Sequence, residues 1–197
     1  FKGYTKEELS EMGVKYVSIY DVPALLAQGV PYNEIFDYYY DFSEGFASVE
    51  LNGKVNFIDK DGKLLSNTWF DDCWDFTCGF ARVMLNEKWN YIGEDGKLLS
   101  TTWFKYCGNF HEGFGRVRLN GKGNYIGEDG ELLSSTWFDS CYDFHEGLGI
   151  VELNGKRYYI DKEGRLYDMN KNQIQQPTNE SASHKKVLLM FHRMGCI

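Results

Sequence analysis

The strongest constraint on what this chain can fold into is a repeat of fixed length. The segments Phe42-Ser-Glu-Gly-Phe-Ala, Phe76-Thr-Cys-Gly-Phe-Ala, Phe110-His-Glu-Gly-Phe-Gly and Phe144-His-Glu-Gly-Leu-Gly start 34 residues apart, with no insertion or deletion between copies. Ile35, Trp69, Trp103 and Trp137 keep the same interval, as do Phe36, Phe70, Phe104 and Phe138, and Gly62, Gly96, Gly130 and Gly164. Four copies therefore span 35–68, 69–102, 103–136 and 137–168. A unit of this size falls below the roughly 40 residues that sustain a core of their own, so each copy must bury its apolar face on its neighbours.

Within a copy, Ala47, Val49 and Leu51 alternate with Ser48 and Glu50, the two-residue period of a half-buried strand. Asn52-Gly53 then fits a two-residue type I′ hairpin, whose central residues both need positive φ. The returning strand runs to Asp59, reverses through Asp59-Lys60-Asp61-Gly62 and leads into Lys63-Leu64-Leu65 and an extended Ser-Asn-Thr-Trp-Phe link. A further turn at Ser43-Glu44-Gly45 precedes the first strand. These signals predict an all-β repeat fold of four tandem 34-residue β-meander units stacked in an open array. A closed β-propeller is the alternative, less favoured because blades usually take about 40–50 residues and four strands. Residues 1–34 read as a short helical N-terminal cap, with capping-box spacing from Thr5 to Glu8 and a helix between Asp21 and Gly29. Residues 169–197 read as a flexible tail, polar from Asn170 to His184, with a short apolar terminus from Val187.

The recurring Phe-x-Glu-Gly-Phe-Ala-x-Val, Asn-Gly-Lys and aromatic-Ile-x-x-x-Gly elements resemble the WG-repeat (KWG repeat) family of bacterial proteins over residues 35–168. The places of the naming dipeptide hold Val55-Asn56, Trp89-Asn90, Gly123-Asn124 and Arg157-Tyr158. The resemblance implies a β-rich repeat that mediates interactions, with no catalytic residues to carry over.

A hydrophobic fraction of 43% is enough for a packed core, and a formal charge of −8 opposes the phosphate backbone, which excludes nucleic acid as the expected partner. The longest apolar run, Val187 to Phe191, is far short of the roughly 20 residues of a membrane span, so no membrane association is expected. The chain starts at Phe1, which leaves localisation open, with the cytoplasm as the default.

Cys73, Cys107 and Cys141 share a column with Tyr39 and lack Cys-x-x-Cys spacing, so packing is expected rather than a metal site. The Asp59 to Gly62 turn resembles the start of a calcium loop but has no distal bidentate Glu. His111 and His145 share a turn column with Ser43 and Thr77. No nucleophile elbow, phosphate loop or zinc-protease motif occurs, and no cofactor or catalysis is expected.

The aromatic residues divide the candidate positions. Trp69, Trp103 and Trp137 share a repeat column with Ile35, so the column accepts a plain apolar side chain and is expected in the core. Tyr38, Trp74, Tyr106 and Tyr142 stand where other copies have Asp72, Gly108 or Ser140, and Trp89 stands where others have Val55, Gly123 or Arg157. These five are the expected exposed binding anchors. The expected function is a non-catalytic interaction or scaffold module for a protein or peptide partner. The alternative is a carbohydrate-binding module that stacks a glycan on exposed Trp and Tyr side chains.

Overall fold

Asn52 and Gly53 adopt φ of 56° and 70°, the double positive φ of a type I′ turn, and so place β2 (Phe46–Leu51) antiparallel to β3 (Lys54–Asp59). In this computed structural model, which describes Glu11 and residues 17–175, that hairpin recurs in every copy. The equivalents are β5 (Phe80–Leu85) with β6 (Lys88–Gly93), β8 (Phe114–Leu119) with β9 (Lys122–Gly127), and β11 (Leu148–Leu153) with β12 (Lys156–Asp161). The second copy turns through Asn86-Glu87 with Glu87 at φ 60°, so it keeps the turn geometry with a strained non-glycine residue.

The third strand of each meander precedes the hairpin. It is β1 (Tyr38–Tyr39), β4 (Asp72–Cys73), β7 (Tyr106–His111) or β10 (Ser140–Cys141), and a tight turn such as Glu44-Gly45 joins it to the next strand. The expected strand at Lys63-Leu64-Leu65 is reduced to a single bridge, Ile58 to Leu64. The link after it instead returns to the hairpin. Val55 and Phe70 exchange two backbone hydrogen bonds of 2.9 Å, and Gly123 and Phe138 do the same at 2.8 and 2.9 Å.

The second residue of the dipeptide place holds this link. Asn56 is fully buried, donates through Nδ2 to the Ser66 carbonyl at 2.8 Å and accepts the Phe57 N–H at 2.8 Å. Asn90 and Asn124 repeat the arrangement on Ser100 and Ser134. A buried amide is tolerated because these bonds replace its lost hydration.

The chain divides between Phe110 and His111 into two compact units. In the first unit, Phe76 stacks on Phe46 at 4.5 Å and meets Phe57 edge-on at 5.1 Å, and Phe110 meets Phe80 and Tyr91 at 4.5 and 4.9 Å. In the second, Phe144 meets Phe114 and Tyr125 at 4.8 and 5.0 Å. Each such phenylalanine is thus buried by the copy before it.

Ahead of the first copy lie α1 (Val22–Ala27) and α2 (Tyr32–Ile35). Gly29, at φ 71°, ends α1, with its N–H on the Leu26 carbonyl and the Val30 N–H on the Leu25 carbonyl, a Schellman closure. Val22 and Ile35 pack into a cluster with Val49, Leu51 and Ile58, so these two short helices cover part of the first copy. The expected capping box at Thr5 to Glu8 and the apolar terminus from Val187 lie outside the described residues. The first residues of the stretch expected as a tail add a strand to the last sheet, and those after residue 175 lie outside the described residues. After β13 (Leu166–Tyr167), Asp168 accepts the Lys171 N–H, the chain reverses, and β14 (Gln173–Ile174) pairs with β13. Ile174 packs on the cluster of Phe138, Val151 and Ile160, which supplies the apolar contact that the polar composition of this stretch obscures.

Candidate functional site

In the first strands of the first, second and fourth copies, one residue pairs with a fully buried valine and the residue before it with a less buried side chain. Tyr39 pairs with the fully buried Val49, whereas Tyr38 pairs with Glu50. Residues two apart share a face, so Tyr38 and Tyr40 point together away from Val49. By the repeat interval the same face carries Asp72 and Trp74, Tyr106 and Gly108, and Ser140 and Tyr142 in the later copies. Every copy therefore presents at least one aromatic residue there. Tyr38 is 62% exposed, Trp74 56%, Tyr106 40% and Tyr142 43%, as the lack of recurrence predicts.

Trp89 departs from that expectation. It is half-buried in a row across the second sheet, paired with Met84 on one side and bridged to the buried Phe104 on the other. A column holding valine, glycine and arginine looks solvent-facing in sequence, but cross-strand neighbours shield this member of it. The recurrent Trp69 and Trp103 are also half-buried, packed against apolar clusters, while Phe70, Phe104 and Phe138 are the fully buried members of the link.

Sequence reasoning missed Tyr40 and Phe42, which are 55% and 47% exposed, and Tyr39 at 54%. Phe42 belongs to a core column; the available signal was that a first member has no earlier copy to bury it.

Two of the exposed rings carry a cation. The Arg82 guanidinium lies 4.6 Å from the Trp74 ring centroid and also donates to the Cys107 carbonyl at 3.3 Å. Arg157 lies 5.8 Å from the Tyr142 ring, and its Nε donates to Glu152 at 2.8 Å. The Tyr142 hydroxyl donates to the same carboxylate at 3.4 Å, so ring and acid both contact a guanidinium that stays largely open to solvent.

The cysteine column behaves as packing. Burial pushes the thiols of Cys73, Cys107 and Cys141 up to about 12, which keeps them protonated at neutral pH and poor as ligands or nucleophiles. The Asp59 carboxylate accepts the N–H groups of Asp61 and Lys63, and Gly62 bonds back to the Asp59 carbonyl, which is the chemistry of a turn. His111, the last residue of β7, and His145, bridged to Leu148 across the tight turn, are both exposed. A surface cleft of about 530 Å³ in the second unit is lined partly by Glu128 and Asp129, the acids of the equivalent turn in the third copy.

A family model described as the WG containing repeat matches residues 35–54, 57–89, 91–122 and 125–156. No curated protein matches. Among solved structures, the chain is similar to Kluyveromyces lactis Hsv2p, with 12% identity over 70% of this chain and 51% of that one, at a TM-score of 0.36. It is similar to a protein of unknown function from Bacteroides caccae, with 14% identity over 74% of this chain and 63% of that one, at a TM-score of 0.29. A third is the extracellular domain of a putative one component system from B. thetaiotaomicron, at 15% identity and TM-score 0.33, covering 73% of this chain and 24% of that one. The chain thus spans between a quarter and two thirds of the length of these structures.

Proposed function

The chain belongs to the WG-repeat family, and on that premise we propose that it is a non-catalytic interaction module that binds a protein or peptide partner through the open face of its first strands. One observation carries this reading. Apart from Phe42, which has no earlier copy to bury it, the aromatic residues of the recurrent columns are buried or half-buried, whereas Tyr38, Trp74, Tyr106 and Tyr142, which packing does not need, are 40–62% exposed in two repeat columns two residues apart. Exposed rings contribute nothing to a core, and tyrosine and tryptophan are the side chains that most often anchor interfaces.

The position of Arg82 over Trp74 favours a peptide over a glycan, because the guanidinium occupies a ring face on which a sugar would stack. Affinity capture of a partner, followed by alanine replacement of Trp74, Tyr106 and Tyr142 one at a time, tests the proposal. Each change should leave stability within about 0.5 kcal/mol, and at least one should weaken binding by about 1–2 kcal/mol. Normal binding by all three would sink the reading. Capture that depends on these rings but is competed only by oligosaccharide would move it to carbohydrate.

A further inference from the structure

In the fourth copy a guanidinium is held by an acid and an aromatic ring of the same sheet: Arg157 bonds Glu152 at 2.8 Å and lies over Tyr142. Subtracting the repeat interval three times places Glu50, Tyr40 and Val55 at the same positions in the first copy. The acid and the ring are retained, and the arginine is not. The other cation used on this face, Arg82 over Trp74, has Ser48 as its first-copy equivalent. Tyr40 is 55% exposed and Glu50 partly exposed, with Tyr38, 62% exposed, beside Glu50 in the strand register. Asp37 and Asp41 flank the tyrosines in sequence, so the local charge is negative in a chain of net charge −8.

We infer that the first copy binds an arginine side chain of its partner, seated between Glu50 and the Tyr40 ring where the fourth copy seats its own Arg157. This inference rests on the proposed reading of the aromatic face and names the partner chemistry that its first copy recognises. Arginine is preferred to lysine because a planar guanidinium can lie flat on a ring while donating to a carboxylate, which a compact ammonium does less well. Arg157 demonstrates the geometry within the same fold, and charge complementarity supplies the attraction.

The test is a ¹H–¹⁵N NMR titration of the full chain with the peptide acetyl-Gly-Arg-Gly-amide, and with its lysine counterpart. The arginine peptide should shift the amides of Tyr38 to Asp41 and of Glu50, saturating at a concentration at least about fivefold lower than the lysine peptide. Tyr40→Ala and Glu50→Gln should each remove most of the response. Val55→Arg, which supplies the missing cation in cis from a half-buried position packed on the cluster of Phe70 and Val83, should abolish it in a chain that keeps a dispersed spectrum. Should Val55→Arg fail to fold, Glu50→Gln carries the same decision. Equal response to lysine, an unchanged response in Glu50→Gln, shifts scattered over acidic residues of all copies, or the same amides responding to a chitin or cellulose oligosaccharide instead would overturn the inference. Loss of a captured partner in Trp74→Ala, with no response to the arginine peptide, would remove this inference and leave the proposed function standing.

Discussion

Phe76 is 2% exposed because Phe46 and Phe57 of the copy before it close over the ring, whereas Phe42, one interval earlier, is 47% exposed. The same contrast between identical residues separates the glycines. At Gly53 an added Cβ would meet nothing within 4 Å, so only the φ of 70° opposes a side chain. At Gly96 the φ is 75°, and a Cβ would also come within 2.1 Å of the Leu65 carbonyl oxygen of the preceding copy. Gly53→Ala should therefore cost about 1 kcal/mol through backbone strain alone. Gly96→Ala should cost at least about twice that, since rigid backbone must move, and urea unfolding of the two variants would compare them directly. Equal midpoints would show that the joint between copies yields more easily than its geometry implies.

At the scale of elements, successive copies are joined by side chains that repeat with the fold. The Glu44 carboxylate accepts the N–H groups of Cys78 and Gly79 at 3.0 and 2.9 Å, and Glu112 accepts that of Gly147 at 2.8 Å. The second copy has Cys78 in this place, and its Sγ instead lies 3.9 Å from the Phe110 carbonyl. A parallel ladder pairs Lys54 with Asp71 and Lys122 with Asp139, and the same aspartates cap the Asn86 and Asn154 N–H groups. In the third copy the aspartate place is taken by Lys105, so Lys88, the equivalent of Lys54, has a like charge as its register partner. Lys105→Asp should raise the melting temperature by a degree or so at low salt, with the gain shrinking toward zero at about 1 M salt, as expected for an exposed pair. A salt-independent gain, or none, would show that these residues do not meet across the joint as their equivalents do.

Across the molecule the carboxylates of these joints set a pH dependence. The Lys54 ammonium holds Asp71 below its ordinary value of 3.8, the Lys122 ammonium does the same for Asp139, and the Gly147 N–H holds Glu112 below 4.5. For Asp161 burial acts in the opposite direction, but the Arg165 N–H and guanidinium and the Tyr167 hydroxyl outweigh it and keep the group low. A carboxyl with a depressed folded value contributes stability that is fully present above its unfolded value and disappears as pH falls through the folded one. Unfolding midpoints should therefore be flat above about pH 5 and fall steadily below about pH 4, with a shallower fall in Asp71→Asn and Asp139→Asn. A fall as steep as that of the unsubstituted chain in both variants would place the effect elsewhere.

The sequence alone determined the features that depend on local backbone chemistry and on counting. The interval of 34, the type I′ turn at Asn52-Gly53, the strand alternation after it and the helix ended by Gly29 were all legible, because φ preferences and side-chain period act within a few residues. The exposure of Tyr38, Trp74, Tyr106 and Tyr142 was legible from their failure to recur. Tertiary structure alone decided that the third strand precedes the hairpin, that Gln173 and Ile174 join the last sheet, that Trp89 is shielded, and that Phe42 is open while Phe76 is closed. It also decided which arginine meets which ring. In each case the outcome depends on what lies across a strand pair or in the neighbouring copy, and a residue's own identity carries no record of the surface that another part of the chain brings against it.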